Sequence, residues 1–165
     1  MYSAVRKQNN IMIKDSEQKI LDSLLYENLG VKKDIEMVSN LGEEALFVYM
    51  EEYDWDGVLY IPQELSEGMF ILPTKVAEQN NCDLATALTM FWSSMSLNWL
   101  DNRIKPAEIE IPWFEFSRYL TDSILTNRYR VGKNKFLGLD KYFSEIDVRV
   151  WRDRGIPEIL YSSLD

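Results

Sequence analysis

The stretch Cys82-Asp83-Leu84-Ala85-Thr86-Ala87-Leu88-Thr89-Met90-Phe91-Trp92 decides the fold class. Asp83 is a helix-capping residue type, and it stands directly before an apolar run. In that run Leu84, Ala87, Leu88, Phe91, Trp92, Met95 and Trp99 keep the helical period of about 3.6 residues, while Thr89, Ser93 and Ser96 fall largely on the other face. The spacing predicts a strong amphipathic helix from Asp83 to Trp99.

Working outward, the same period recurs on both sides. Toward the N-terminus, Asp15 with Gln18 has capping-box spacing, Ile20, Leu21, Leu24 and Leu25 form one stripe, and Gly30 can end the helix begun at Ser16. A short segment, Lys32 to Val38, can add a turn or two of helix. Asn40 and Glu43 stand at N-cap and N3 spacing before Leu46, Tyr49, Met50 and Tyr53, and Gly57 is expected to break that helix. Val58 to Ile61 reads as a short strand or extended segment, and Pro73 as the start of a brief helix through Gln79. Toward the C-terminus, Pro106 and Pro112 bracket a link in which Ile109 and Ile111 alternate with acids, the pattern of a single edge strand. Pro112 opens a helix that turns Trp113, Phe116, Leu120 and Ile124 inward. Gly132 and Gly138 flank a basic loop, and Asp140 is expected to cap a helix carrying Phe143, Ile146 and Val150, ended by Gly155 and Pro157. The whole is expected to be mainly α. It reads as a single-domain helical bundle of about six to eight helices with at most a minor short hairpin. Residues 1–15 form an N-terminal extension to one helical domain over residues 16–165.

Composition bounds the chemistry. The 165 residues are 46% hydrophobic and 27% charged, enough for a core without disulfides. There is no histidine, which excludes Ser-His-Asp and Cys-His catalysis, imidazole metal ligands and an imidazole pH switch. Cys82 is the single cysteine, so neither an internal disulfide nor a Cys-rich zinc site can form. The residues before Lys19 lack a signal-peptide core, and no run approaches the length of a membrane span. A soluble, cytoplasmic protein with no membrane partner is expected.

The formal charge is −9, from 27 acids and 18 bases, and it is unevenly placed. Between Lys33 and Lys75 there is no base, but there are ten acids: Asp34, Glu36, Glu43, Glu44, Glu51, Glu52, Asp54, Asp56, Glu64 and Glu67. From Arg103 to Arg154 there are eleven bases against eight acids.

Three motifs each have a plainer reading beside a functional one. Glu52-Tyr53-Asp54-Trp55-Asp56-Gly57 alternates acids before a glycine, as a calcium loop does, but Gln63 stands where the loop needs its closing Glu. An acidic turn after a helix explains it better, and no metal or other cofactor is expected. Paired carboxylates could hydrolyse glycosides without histidine, but no pair stands in a recognisable motif, and no catalytic residue is assigned. Arg128, Arg130, Lys133 and Lys135, with Tyr129 and Phe136 between them, could bind nucleic acid by charge and stacking. Four cations in a chain of −9 are few, so a loop whose cations pair with acids elsewhere is the better reading, and no nucleic-acid partner is expected. Trp55, flanked by acids, is either an interface anchor or, as most tryptophans are, part of the core.

The turn Tyr53-Asp54-Trp55-Asp56-Gly57, the pair Ile61-Pro62 and the segment Cys82 to Trp92 together resemble the marks of a bacterial domain-of-unknown-function family. The likeness covers residues 46–92. Asp54 stands where that family usually has Asn, and the interval from Pro62 to Cys82 is longer. The resemblance implies fold-setting roles, with Asp83 as cap and Leu84, Leu88, Phe91 and Trp92 in the core. It carries no catalytic residue, and by association with small acidic bacterial proteins it implies a toxin-immunity role. The expected function is therefore an immunity protein that neutralises a cognate toxin with a basic surface, since an acidic face can fill a phosphate-binding cleft. Its expected contacts are Glu43, Glu44, Glu51, Glu52, Asp54, Asp56, Glu64 and Glu67, with Trp55 and Tyr60 as anchors. A carboxylate-based hydrolase and a housekeeping binding module are the alternatives.

Overall fold

The computed structural model describes residues 11–60, 70–101, 103–139 and 141–164, with backbone alone for residues 58 and 60. Among them lie eight α-helices and no β-strand, which makes the chain a mainly α single-domain bundle. The helices are α1 (Asp15–Tyr26), α2 (Val31–Val38), α3 (Glu43–Glu52), α4 (Trp55–Tyr60), α5 (Ile71–Glu78), α6 (Leu84–Ser93), α7 (Ile111–Leu125) and α8 (Glu145–Asp153). Short 3₁₀ turns at Ser96–Trp99, Glu108–Glu110 and Glu158–Leu160 join or follow them.

The centre is the pair α3 and α6, packed directly on each other. Both are apolar around nearly their whole circumference. Ala45 to Met50 of α3 and Leu84 to Phe91 of α6 are all buried. A helix without a polar face must be surrounded, and the neighbours do this: α1 lies on α3, α7 lies on α6, and α2 packs on α1 and α5. Asp83 caps α6 as its position before the apolar run predicts: its carboxylate accepts from the Thr86 N–H at 2.8 Å and from the Thr86 hydroxyl at 2.7 Å. Leu84, Leu88 and Phe91 are core residues, and Trp92 is packed against the core with its indole N–H donating to the Leu160 carbonyl.

Several expected boundaries move. The helix from Asp83 stops at Ser93, because Met95 adopts a left-handed backbone (φ 54°) and the chain continues as the 3₁₀ turn to Trp99. The turn is held by a chain of buried hydroxyls, Ser94 to Ser96 and Ser96 to Ser117, and by the Trp113 indole on the Ser94 carbonyl. The helix after Asn40 begins at Glu43, with Gly42 as its N-cap. Gly42 donates its N–H to Glu17 of α1 at 2.7 Å, so the cap comes from another helix. Asp15 and Gln18 form no capping box; α1 has Lys14 at its N-cap, and Gln18 bonds Asp22 one turn on. The break after α3 is at Tyr53, not Gly57: Asp54 accepts from the Gly57 N–H at 3.0 Å and starts α4, so the segment read as a strand is helical through Tyr60. No edge strand forms at Ile109 and Ile111; the prolines admit a 3₁₀ turn running into α7 instead. No hairpin lies among the described residues, only two isolated bridges, Phe136 to Leu164 and Leu139 to Phe143. Asp140 lies outside the described residues, and α8 is capped by Ser144, which forms a reciprocal box with Asp147.

Candidate functional site

The ten acids of the base-free stretch do not share one role. Glu43 begins α3 and is only 8% exposed. Its carboxylate takes the Arg130 guanidinium and, at 2.7 Å, the backbone N–H of Lys133. Glu44 meets the Lys133 ammonium at 3.4 Å, and Glu51, at the other end of α3, meets Lys141 at 2.6 Å. The basic loop is therefore a strap laid along α3. Burial works against the Lys141 charge, but its bond to Glu51 and the nearby Tyr142 outweigh that and raise its pKa.

The strap ends in a buried polar cluster. Asn134 donates to the Glu43 carbonyl at 3.2 Å and to the second oxygen of Asp83 at 3.0 Å. The Leu84 N–H donates to the Arg130 carbonyl at 2.9 Å. Two helix N-termini, those of α3 and α6, are thus tied by one loop, and each presents an acid where the helix dipole favours one. Gly132 passes directly over both carboxylates, and a Cβ there would collide with Glu43 and Asp83. Burial pushes the Asp83 carboxyl up. The Thr86 and Asn134 bonds pull it down, and the Glu43 charge adds to the rise. This is the carboxylate pair the fold brings together. Asp83 is fully buried, with both oxygens engaged, so no substrate atom reaches it.

At the turn between α3 and α4 the arrangement reverses. Glu52, Asp54 and Asp56 are exposed, and none has a cationic partner among the described residues. Trp55 between them is only 7% exposed. Its indole N–H donates to the Met50 carbonyl at 2.9 Å, and its ring packs on Tyr53 and Phe116. Trp55 therefore braces the corner from within, in agreement with the core reading and not with an exposed anchor. Burial first, then the Asp54 and Asp34 charges, raise the Tyr53 phenol. The backbone of Tyr60 closes α4, while its side chain, Glu64 and Glu67 lie outside the described residues. Among the described residues no cluster of three acidic or sulfur ligands could hold a metal ion, and no helix is long and apolar enough to cross a membrane.

Asp83, Asn134 and Gly132 were not singled out as a site by sequence. The available signal was charge: a stretch without bases facing a stretch, Ser123 to Leu139, without acids. Compared with models of protein families, with curated proteins and with solved structures, the chain matches none.

Proposed function

We propose that the chain is a binding protein, not an enzyme, and that it acts as an immunity protein, blocking a cognate toxin whose surface is basic. The observation that carries this reading is the α3–α4 corner, where Glu52, Asp54 and Asp56 are exposed and unneutralised on a turn braced by buried Trp55. Fixed like charges steer an oppositely charged partner and speed its association without the cost of ordering a loop. Glu43 serves the strap, and Glu44 and Glu51 carry partial neutralisation, so the contact set contracts to the corner and its neighbours. The likeness of residues 46–92 to a bacterial domain-of-unknown-function family supplies the bacterial setting, and a cytoplasmic site of action follows from the proposed role.

The test is co-expression with the product of the adjacent reading frame. The chain should restore growth, and in stopped-flow at low salt the variant Glu52→Lys with Asp56→Lys should associate at least tenfold more slowly. Asp54 is left in place because it caps α4. A harmless neighbour, or a variant that associates at the unchanged rate, would overturn the proposal.

A further inference from the structure

The C-terminal helix carries cations that the fold leaves idle. Arg103, Arg118, Arg128 and Arg130 each hold a carboxylate or a carbonyl. Arg149, Arg152 and Arg154 of α8 and its end are exposed, with no hydrogen-bond or ion-pair partner among the described residues. Several lysines among the described residues are unpaired as well, but Arg149 and Arg152 are the unpaired arginines that line a groove. Arg152 and Arg154 suit a helix C-terminus through the dipole, but Arg149 stands in mid-helix, where that explanation does not reach.

Arg149 and Arg152 are three residues apart, so their side chains leave the same face of α8, with Cβ atoms about 5–6 Å apart. Both line an open groove of about 330 Å³. Its apolar lining is Leu139, Phe143 and Val148, and Leu139 is 38% exposed. Glu145 lines the same groove one turn nearer the start of α8, so the groove has a polarity: its cationic end is the end toward Arg152.

We propose that this groove binds an acidic peptide segment. Its carboxylates would lie on Arg149 and Arg152, and an apolar side chain beside them would cover Leu139, Phe143 and Val148. Planar guanidinium forks match carboxylates in two-point geometry. A phosphate alone would use the arginines and leave the apolar lining open, so the combination selects a peptide of alternating acidic and apolar residues. The groove shares no residue with the α3–α4 corner, and its arginines are opposite to that corner in sign.

The probe is a capped peptide, Asp-Leu-Glu-Leu-Asp, titrated into the full ¹⁵N-labelled chain at low salt. Amide shifts should centre on Leu139, Val148 to Arg152 and the groove wall at Tyr161. Arg149→Gln with Arg152→Gln should weaken binding at least tenfold, as should Leu139→Ser with both arginines intact, while Arg154→Gln changes it less than twofold. Replacing the peptide's acids with Asn should abolish binding to the unaltered protein, which keeps the test independent of any variant's folding. Shifts centred on Arg128 to Lys135, unchanged affinity in the double variant, or the same shifts from inorganic phosphate at equal concentration would overturn the proposal.

Discussion

Glu43 and Asp54 are both acids near a helix start, eleven positions apart in one base-free stretch, yet they live in opposite surroundings. Glu43 is nearly sealed from water and is held by Arg130, the Lys133 amide and the strap that Asn134 completes. Asp54 faces solvent and is held only by its own turn, through Gly57. Residue type does not separate them; what the fold brings opposite does. The strap encloses Glu43 and leaves Glu52, Asp54 and Asp56 uncovered. That sorts the stretch into acids that hold the bundle together and acids free to meet a partner.

The comparison can be broken most severely at Asp83. Asp83→Ala removes the α6 cap and strands the Thr86 N–H and the Asn134 amide in a dry site, so urea denaturation should show a loss of about 3 kcal/mol. Gly132→Ala forces the strap off both carboxylates and should lose about 2 kcal/mol by the same measurement. Severing Glu51 from Lys141 with Lys141→Gln should cost under about 1 kcal/mol, because the ammonium is half exposed. At the free end, Glu52→Lys with Asp56→Lys should leave stability within about 0.5 kcal/mol while altering the salt dependence of partner association. A large stability loss there would show that the corner is structural after all.

Titration sharpens the same contrast. Asp83 has a raised pKa, chiefly from burial, so the folded state holds its proton more tightly than the unfolded chain. Its contribution is most favourable below the unfolded value of about 3.9 and declines as pH rises from there through the raised folded value. Asp147 is lowered by the Ser144 backbone and hydroxyl bonds, so its contribution is present above about 3.9 and is lost as pH falls through its folded value. The difference in melting temperature between the wild type and Asp147→Asn should therefore be positive at neutral pH and close in acid. Asp83→Asn should show the opposite trend. Parallel slopes for the two variants would contradict this assignment.

Much of the bundle was legible because it is written locally. The cap at Asp83 and the apolar run after it share one turn, and periodicity sees both. The α3–α4 corner was misread for an equally physical reason. Gly57 looks like a breaker, but it sits in the first turn of α4, where its N–H is bonded by Asp54. Of the two readings of Trp55 the core one holds, because successive helix residues turn by about 100°, so one can face inward while both neighbours face water. The strap was legible only as complementary charge. Hydrophobic periodicity carries no information about which loop, some 90 residues away, will lie over a given helix end. Gly132 marks that meeting point, but nothing in its own sequence neighbourhood says what it must clear.

The strap also has a consequence in time. Its bonds to α3 join residues 87 to 91 positions apart. A ribosome adding about 5–20 residues per second makes Glu43 several seconds or more before the residues that enclose it. Through that interval α3 and α6 can pair through their apolar faces, but the Glu43 carboxylate and the second oxygen of Asp83 wait for the strap, with only Thr86 already bonding the first Asp83 oxygen. The nascent bundle therefore passes through a stage that is already collapsed but not yet sealed. Loop closure over so long a separation is the slow kind. The emergence of Arg130 to Asn134 from the tunnel would then set when the protein becomes resistant to proteolysis, and a pulse-labelled nascent chain arrested before Arg130 should be cut where the finished protein is not.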